Sequence, residues 1–502
     1  MEVDIEIQKL NEIVNELSSE FNYAFKETAI ILAAGHGKRI KSQRSKMLHK
    51  IWEIPTVERV YNACKNGIEN INSIIVVGIK AEDVIRVIGK NENTQFVLQE
   101  EQNGTGHAVQ VALNRINPAK FNGVIYVLPG DMGLIDKETI SMFRREFINS
   151  SNDMMVLTGI YKGDPKLNNY GRIIRVKEKD ARGKFSYLDF GKVIEIIEYK
   201  DILNLNETNP YILKYNGRTY TYTKEELINN NEFNSGVYAF KSNKLFQLIN
   251  RLTNNNVQRE IYITDLISLF NLNGYPVGAV SPKEQYVLMG FNNKSVLREM
   301  EGVARSLAYE KLKDVIEIVD PEDFFIDESV IEEILEMDRR GVPLDIKIGK
   351  GVYIAKGAKL NYNLKLKKNV FTSGNIIFGK NVVVRENVHL SCFQDQSLTI
   401  GDNVEILQGN ILKGNIVIGD ESRIESNVNM TGSNEFPLVI GKNVLIKGRS
   451  YIFGSIIEDD IQIEHSVLIN KKVERKINED GIIQPVKYFL PEPEGLNSIK
   501  NL

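Results

Sequence analysis

The sequence predicts an α/β unit with a parallel sheet, followed by a parallel β-helix of six-residue repeats. Short apolar runs alternate with helical patterns across 28–312, as expected of βαβ units. The apolar run Ala29-Ile30-Ile31-Leu32-Ala33-Ala34 stops abruptly at Gly35 and Gly37. Further on, Gly349, Gly379, Gly401, Gly419 and Gly441 each follow Ile or Phe, and the step from Gly401 to Gly419 is 18 residues, three units of six. Coils of this kind bury their faces only against neighbouring coils. A β-sandwich with regular turns is the competing reading; the repeated Ile-Gly-polar-Asn-Val turns favour the β-helix.

At 502 residues the chain is too long for one hydrophobic core. Its net charge of -3 comes from interspersed Lys, Arg, Asp and Glu, so nothing global points to nucleic acid or a membrane surface, and any anion site must be local. Cys64 and Cys392 are the only cysteines, which excludes a disulfide framework or a cysteine zinc site and suits a reducing cytoplasm. The acidic N-terminus lacks a signal core, and no segment has the length and apolarity of a membrane span.

Taken in order, residues 1–27 carry Ile7, Leu10, Val14, Leu17 and Phe21 at helical spacing, predicting an amphipathic helix that packs on its own domain. The first apolar run then reads as a buried strand whose two glycines let backbone N–H groups approach a polyanion, with charge from Arg39 and Lys46. An ordinary strand-to-helix turn carrying two solvated cations remains open on these residues alone. Strands are predicted over 73–79, 95–98 and 124–128, each ending in a polar or glycine-bearing loop, so that the loops share one rim. The β-rich, Lys- and Tyr-rich stretch 162–234 reads as an insertion over that rim. Residues 313–345 suit a helical connecting arm, 346–470 the β-helix, and 471–502 an irregular, capping or disordered tail.

Several stretches in order resemble the sugar nucleotidyltransferase family, and most closely its uridyltransferases that carry an acetyltransferase β-helix. They are 32–39 with Lys46-Met47-Leu48-His49, Gln99 to Val109, Gly130-Asp131, Tyr170-Gly171-Arg172, Glu198-Tyr199-Lys200-Asp201, Asn234-Ser235-Gly236, Tyr262-Ile263-Thr264-Asp265 and Gly290-Phe291-Asn292-Asn293. The resemblance implies a Rossmann-like nucleotidyltransferase domain over 28–312 and a left-handed β-helix. It further implies uridylyl transfer from UTP to N-acetylglucosamine 1-phosphate with Mg²⁺, the alternatives being uridylyl or thymidylyl transfer to glucose 1-phosphate, or a catalytically silent UDP-sugar scaffold. Arg39 and Lys46 then match the catalytic cations. Leu32, Ala33, Ala34, Gly35, Gln99, Gly104, Thr105, Gly130 and Asp131 match nucleotide-binding positions. Gly171, Glu198 and Asn234 match sugar-binding positions, and Asp131 with Asn292 the Mg²⁺ ligands. The resemblance also implies a homotrimer. The β-helix departs from the pattern: His389 and His465 stand outside the family's setting for a catalytic base, and Asn429 to Pro437 lacks the Tyr-Asp pair and Lys of the acetyltransferase loop, so acetyl transfer is not expected.

Overall fold

The computed structural model describes residues 2–35, 40–78, 81–479 and 481–489, in two compact units, Met1–Glu301 and Gly302–Leu502. Among the described residues no helix is long and apolar enough to cross a membrane.

The first unit is organised on a nine-stranded sheet. Its strand Glu27–Ala33 lies parallel between Ile71–Val77 and Val124–Pro129, with Ile30 opposite Ile74 on one side and Val127 on the other. Being central and covered on both faces, it is a continuous apolar run rather than an alternating one. Val57, Val60 and Cys64 of the helix Thr56–Gly67 join the core on one face, and Ala108, Val109 and Ala112 of the helix Thr105–Leu113 the core on the other. From this strand the chain moves outward through Ile71–Val77 and Thr94–Leu98, then returns to the opposite side at Val124–Pro129. That reversal opens a crevice between Glu27–Ala33 and Val124–Pro129 at their carboxyl ends, the place where open α/β sheets take ligands. Beyond it Glu232–Lys241 runs antiparallel to both neighbours, with a register shift between Asn234 and Val237.

The N-terminal helix spans Glu2–Leu17 and buries Leu10, Ile13 and Val14 in the core of its own unit. It stops well short of residue 27, because Ser19 turns the backbone into the sheet: its N–H donates to Thr94 O at 2.8 Å. Phe21 consequently packs with the core on the opposite face. The region read as an insertion forms its own small lobe. Strands Arg172–Arg175 and Val193–Ile197 pair with each other, the hairpin Tyr211–Tyr215 with Arg218–Tyr222 lies beside them, and a third apolar cluster includes Ile174, Ile194, Ile197, Ile202, Tyr220 and Leu227.

The second unit is built from three parallel sheets of eight, eight and six strands, consistent with a left-handed β-helix. Ile348, Leu366, Val384, Ile406, Ile424, Ile446 and Ile463 occupy successive rungs of one sheet and are all buried. The Asn of each Gly-polar-Asn turn sits in the left-handed region, with φ of 57° at Asn381, 58° at Asn403 and 52° at Asn443, a conformation that Asn tolerates better than most residues. These side chains stack: Asn363 Nδ2 donates to Asn381 Oδ1 at 3.0 Å, and Asn381 Nδ2 to Asn403 Oδ1 at 2.9 Å. Coil pairing begins before residue 346, since Glu317–Ile318 pairs with Lys347–Ile348 and Phe324–Ile326 with Val352–Ile354. The segment 313–345 thus supplies two strands as well as the helix Glu328–Asp338. At the other end the tail lies on the last coil, with Glu464 N donating to Val486 O at 2.8 Å and Val467 N to Tyr488 O at 2.7 Å, which covers an edge otherwise open to pairing.

Asn381→Ala removes two ladder hydrogen bonds and forces a Cβ-bearing, non-Asn residue into the left-handed region. We expect a loss of about 1–2 kcal/mol, and a smaller loss for Asn381→Gly, in urea unfolding of the full chain.

Candidate active site

The site assembles at the carboxyl ends of the central strands. Gly130 directly follows Val124–Pro129 and its N–H donates to Leu32 O at 3.0 Å. A Cβ here would lie 3.1 Å from both Leu32 O and Met47 Sδ, so glycine permits the close backbone approach that sets Asp131 beside the end of the first strand. The short 3₁₀ turn Lys46–Leu48 presents Lys46, which is buried. Its ammonium pairs with Asp131 Oδ2, donates to Asn292 Oδ1 at 3.0 Å and lies 5.3 Å from the Phe291 ring centroid. Tyr170 OH donates to Gly290 O at 3.1 Å, fixing the segment that carries Asn292, while the Tyr170 ring stacks on Phe233 at 5.0 Å. Burial, with Asp131 nearby, pushes the Tyr170 hydroxyl up to about 12, so it serves as a neutral donor.

Among the described residues no group of three or more His, Cys, Asp or Glu converges as a metal cage. Mg²⁺ in phosphate-transfer sites needs fewer protein ligands, because phosphate oxygens and water complete its shell. The Asp131 carboxylate and Asn292 Oδ1 already meet on one cation, the Lys46 ammonium, and as hard oxygen donors they fit Mg²⁺.

On the next rim Gln99 follows Thr94–Leu98. Its N–H donates to Val77 O at 2.8 Å, its Nε2 donates to Gly104 O at 3.2 Å, and His107 Nδ1 lies 3.1 Å from the same Nε2. Gly104 adopts φ +106°, and a Cβ on it would meet Ile261 O at 2.5 Å. The loop is clamped there, with Ile261 N donating to Asn103 O and Gly106 N to Ile261 O, both at 2.7 Å, and Ile263 N donating to Thr105 Oγ1 at 3.3 Å. Gln102 Nε2 donates to Ala34 O, stitching this rim to the loop after the first strand. Leu32 and Ala33 end that strand, and Ala34 and Gly35 follow it; Arg39, like His36, Gly37 and Lys38, lies outside the described residues.

Gly171, Glu198 and Asn234 also come together. Asn234 N donates to Gly171 O at 2.9 Å, and a Cβ on Gly171 would stand 3.2 Å from Glu198 Oε1. The Asn234 amide is held by Tyr238 OH, which accepts from Nδ2 at 2.7 Å, and by Gly236 N, which donates to Oδ1 at 2.9 Å. Arg172, fully buried, donates to the carbonyls of Pro165 at 2.7 Å and Asn168 at 2.9 Å and so braces the approach to Gly171.

Sequence reasoning named these positions but not their surroundings. Burial, then Asp201, Asp265 and Glu260, pushes the Glu198 carboxyl up to about 7. Glu195 is raised to about 7, chiefly by burial, and accepts from Tyr211 OH at 3.0 Å. Asp265 is raised to about 6 by burial and Asp201. Asp265 lay within a quoted motif, whereas Glu195, in Val193–Ile197, carried no signal of its own. Gln102 likewise belonged to a recognised stretch without a distinct role.

Residues 29–220 match the family model of the MobA-like NTP transferase domain. The chain is 34% identical over 307 residues to the bifunctional protein GlmU of Acetivibrio thermocellus, covering 60% of this chain and 57% of that protein. It is 32% identical over 300 residues to GlmU of Clostridium beijerinckii, covering 59% and 56%, and 31% identical over 334 residues to GlmU of Streptococcus agalactiae serotype V, covering 65% and 63%. The chain therefore spans less than two thirds of the length of these curated relatives. The first unit carries a nucleotidyltransferase domain related to theirs.

The raised Glu195 carboxyl makes a prediction with a definite sign. A carboxyl whose folded pKa lies above its unfolded value adds stability below the unfolded value, near 4.3, that is lost as pH rises through about 7. Glu195→Gln should therefore stabilise the chain at pH 8 by up to about 3–4 kcal/mol and far less at pH 4.5. Paired thermal melts at the two pH values measure the difference.

Proposed function

We propose that this chain transfers a uridylyl group from UTP to N-acetylglucosamine 1-phosphate, giving UDP-N-acetylglucosamine and pyrophosphate. The observation that carries the reading is the convergence of Lys46, Asp131 and Asn292 at the strand-switch crevice. A sugar 1-phosphate oxygen attacks the α-phosphorus of UTP; the new P–O bond forms as the bond to the bridging oxygen breaks, and that electron pair leaves with pyrophosphate. No general base is required, so alignment and charge neutralisation supply the catalysis.

In this reading Asp131 and Asn292 hold Mg²⁺, which when bound supplies positive charge against the triphosphate oxygens. Lys46 then releases Asp131 and Asn292 and turns its ammonium to the phosphates, joined by Arg39. Leu32 to Gly35 and Gly130 offer backbone to the nucleotide, and Gln99, Gly104 and Thr105 face the base. Gly171, Glu198 and Asn234 orient the sugar, with ionised Glu198 accepting from a sugar hydroxyl. Uridylyl or thymidylyl transfer to glucose 1-phosphate is the alternative, because residues 202–231 of the lobe beside Glu198 lie outside the matched motifs. We place the nucleotidyltransferase domain at 28–312 and the reaction in the cytoplasm, and propose a homotrimer, for which a monomer mass in light scattering would be the contrary result.

We further propose that the β-helix does not acetylate glucosamine 1-phosphate. His389 stacks on Phe371 at 4.6 Å as the end of a ring ladder through Tyr353 and Phe325, and His465 Nδ1 lies 2.8 Å from Gly448 O, which supports structural roles for both. Acetyl-coenzyme A consumption dependent on glucosamine 1-phosphate would overturn this.

Pyrophosphate release over a panel of nucleotides and sugar phosphates tests the main reading. Lys46→Ala and Asp131→Ala should each lower turnover about 10²- to 10³-fold. If the ammonium competes with the metal for the same two oxygens, Lys46→Met should also bind Mn²⁺ more tightly than wild type in the absence of nucleotide, as read by water-proton relaxation, whereas Asp131→Ala should bind it less.

A further inference from the structure

The hairpin excursion between the strands Arg172–Arg175 and Val193–Ile197 carries four large apolar side chains that no core uses. Phe185 is 46% exposed, Tyr187 78%, Leu188 91% and Phe190 61%, all within six residues. The excursion is tightly held. Ser186, buried between them, donates from its hydroxyl to Lys177 O at 2.6 Å, and Tyr220 OH lies 3.1 Å from Ser186 Oγ. Ala181 N donates to Thr219 O at 2.8 Å, Phe190 N to Tyr187 O at 3.1 Å, and Asn216 Nδ2 to Asp189 Oδ1 at 3.1 Å. The apolar tip is thus presented by its backbone, and Tyr187 adopts φ +48° as part of that presentation. A contiguous exposed apolar group of this kind marks an interaction surface.

The charges around it select the partner. Residues 177–192 hold five cations, Lys177, Lys179, Arg182, Lys184 and Lys192, against Glu178, Asp180 and Asp189, in a chain whose net charge is -3. Two of the three carboxylates are engaged locally: Asp180 accepts from Arg182 N and Lys184 N at 2.9 Å, and Asp189 accepts from Asn216 and pairs with Lys192 at 3.4 Å. Glu178 is the exposed one. Lys179, Arg182, Lys184 and the nearby Lys214 are exposed and form no ion pair among the described residues. Tyr187 and Leu188 project from the surface, while the Phe185 ring lies 6.2 Å from that of Tyr187 and 4.7 Å from the Lys179 ammonium, so cation and apolar groups are presented together.

We propose that the tip 185–190 docks the protein on an anionic lipid surface, with Tyr187, Leu188 and Phe190 entering the headgroup layer and Lys179, Arg182, Lys184 and Lys214 contacting its phosphates. Aromatic and aliphatic groups flanked by Lys and Arg are what the bilayer interface favours, and a small apolar insertion needs such charges to give useful affinity. The rest of the chain, mixed in charge, contributes little.

Co-sedimentation of the full chain with phosphatidylcholine vesicles, with and without phosphatidylglycerol, tests this. Wild type should partition to the anionic vesicles only, and salt should weaken it. Leu188→Asp combined with Phe190→Ser, and separately Lys179→Glu with Lys184→Glu, should each cut partitioning about tenfold or more while pyrophosphate release and melting temperature stay at wild-type values. No binding by wild type, equal binding to neutral vesicles, or binding that survives both variants overturns the proposal. So does self-association that the Leu188→Asp, Phe190→Ser variant abolishes in a protein that ignores vesicles, which would make the tip a contact between copies.

Discussion

One buried ammonium ties together parts of the chain that the sequence holds far apart. Lys46 meets Asp131 and Asn292 across separations of 85 and 246 positions. The Lys46 ammonium and the Asp131 carboxylate, both largely removed from solvent, tolerate that burial because each completes the other, and deleting one leaves the other uncompensated. The backbone around them is arranged to the same end. Gly130 lets Asp131 approach the first strand, Tyr170 pins Gly290, and Phe291 lays its ring beside the ammonium. An internal ion pair of this kind satisfies both charges at the crevice without any ligand.

Much of this was legible in the sequence, for physical reasons that also set the limits. The uninterrupted apolar run before Gly35 identified a strand covered on both faces, and the recurrent Ile-Gly-polar-Asn-Val turns identified coils because Asn is suited to the left-handed corner. Pairing distances were not legible. Nothing local in Asn292 says that it reaches Lys46, and nothing in Gln102 says that it donates to Ala34 O. The start of the coils was hidden because Glu317–Ile318 and Phe324–Ile326 lack the Gly-polar-Asn signature and a helix separates them from the next rung. Helical spacing carried the N-terminal helix on to Phe21, but Leu17 ends it where Ser18 and Ser19 bond to the edge strand: Ser18 Oγ accepts from Phe96 N at 2.9 Å.

The same in-register stacking explains the second unit and its histidines. In a parallel β-helix equivalent positions on successive coils lie directly above one another, so like side chains form ladders. Phe325, Tyr353, Phe371 and His389 stack at 4.5, 5.1 and 4.6 Å with interplanar angles of 22°, 12° and 17°. An imidazole committed to such a ladder has one face taken, and burial together with Lys413 lowers its pKa. Stacking and amide ladders thereby give residue types that often signal chemistry a place in the coils, and the sequence alone does not show that placement.

The lobe between Arg172 and Tyr222 joins the two surfaces of the first unit. Strand Val193–Ile197 sends Ile194 and Ile197 into the lobe's own apolar cluster, while Glu195 and the adjoining Glu198 stand among the carboxyls of the Asn234 side. The same cluster takes Tyr220, whose hydroxyl lies 3.1 Å from Ser186 Oγ beneath the exposed tip. The tip and the Glu198 side therefore adjoin one small core, the tip through the Ser186–Tyr220 hydroxyl pair and Glu198 through the neighbouring Ile197, and neither link involves Lys46, Asp131 or Asn292.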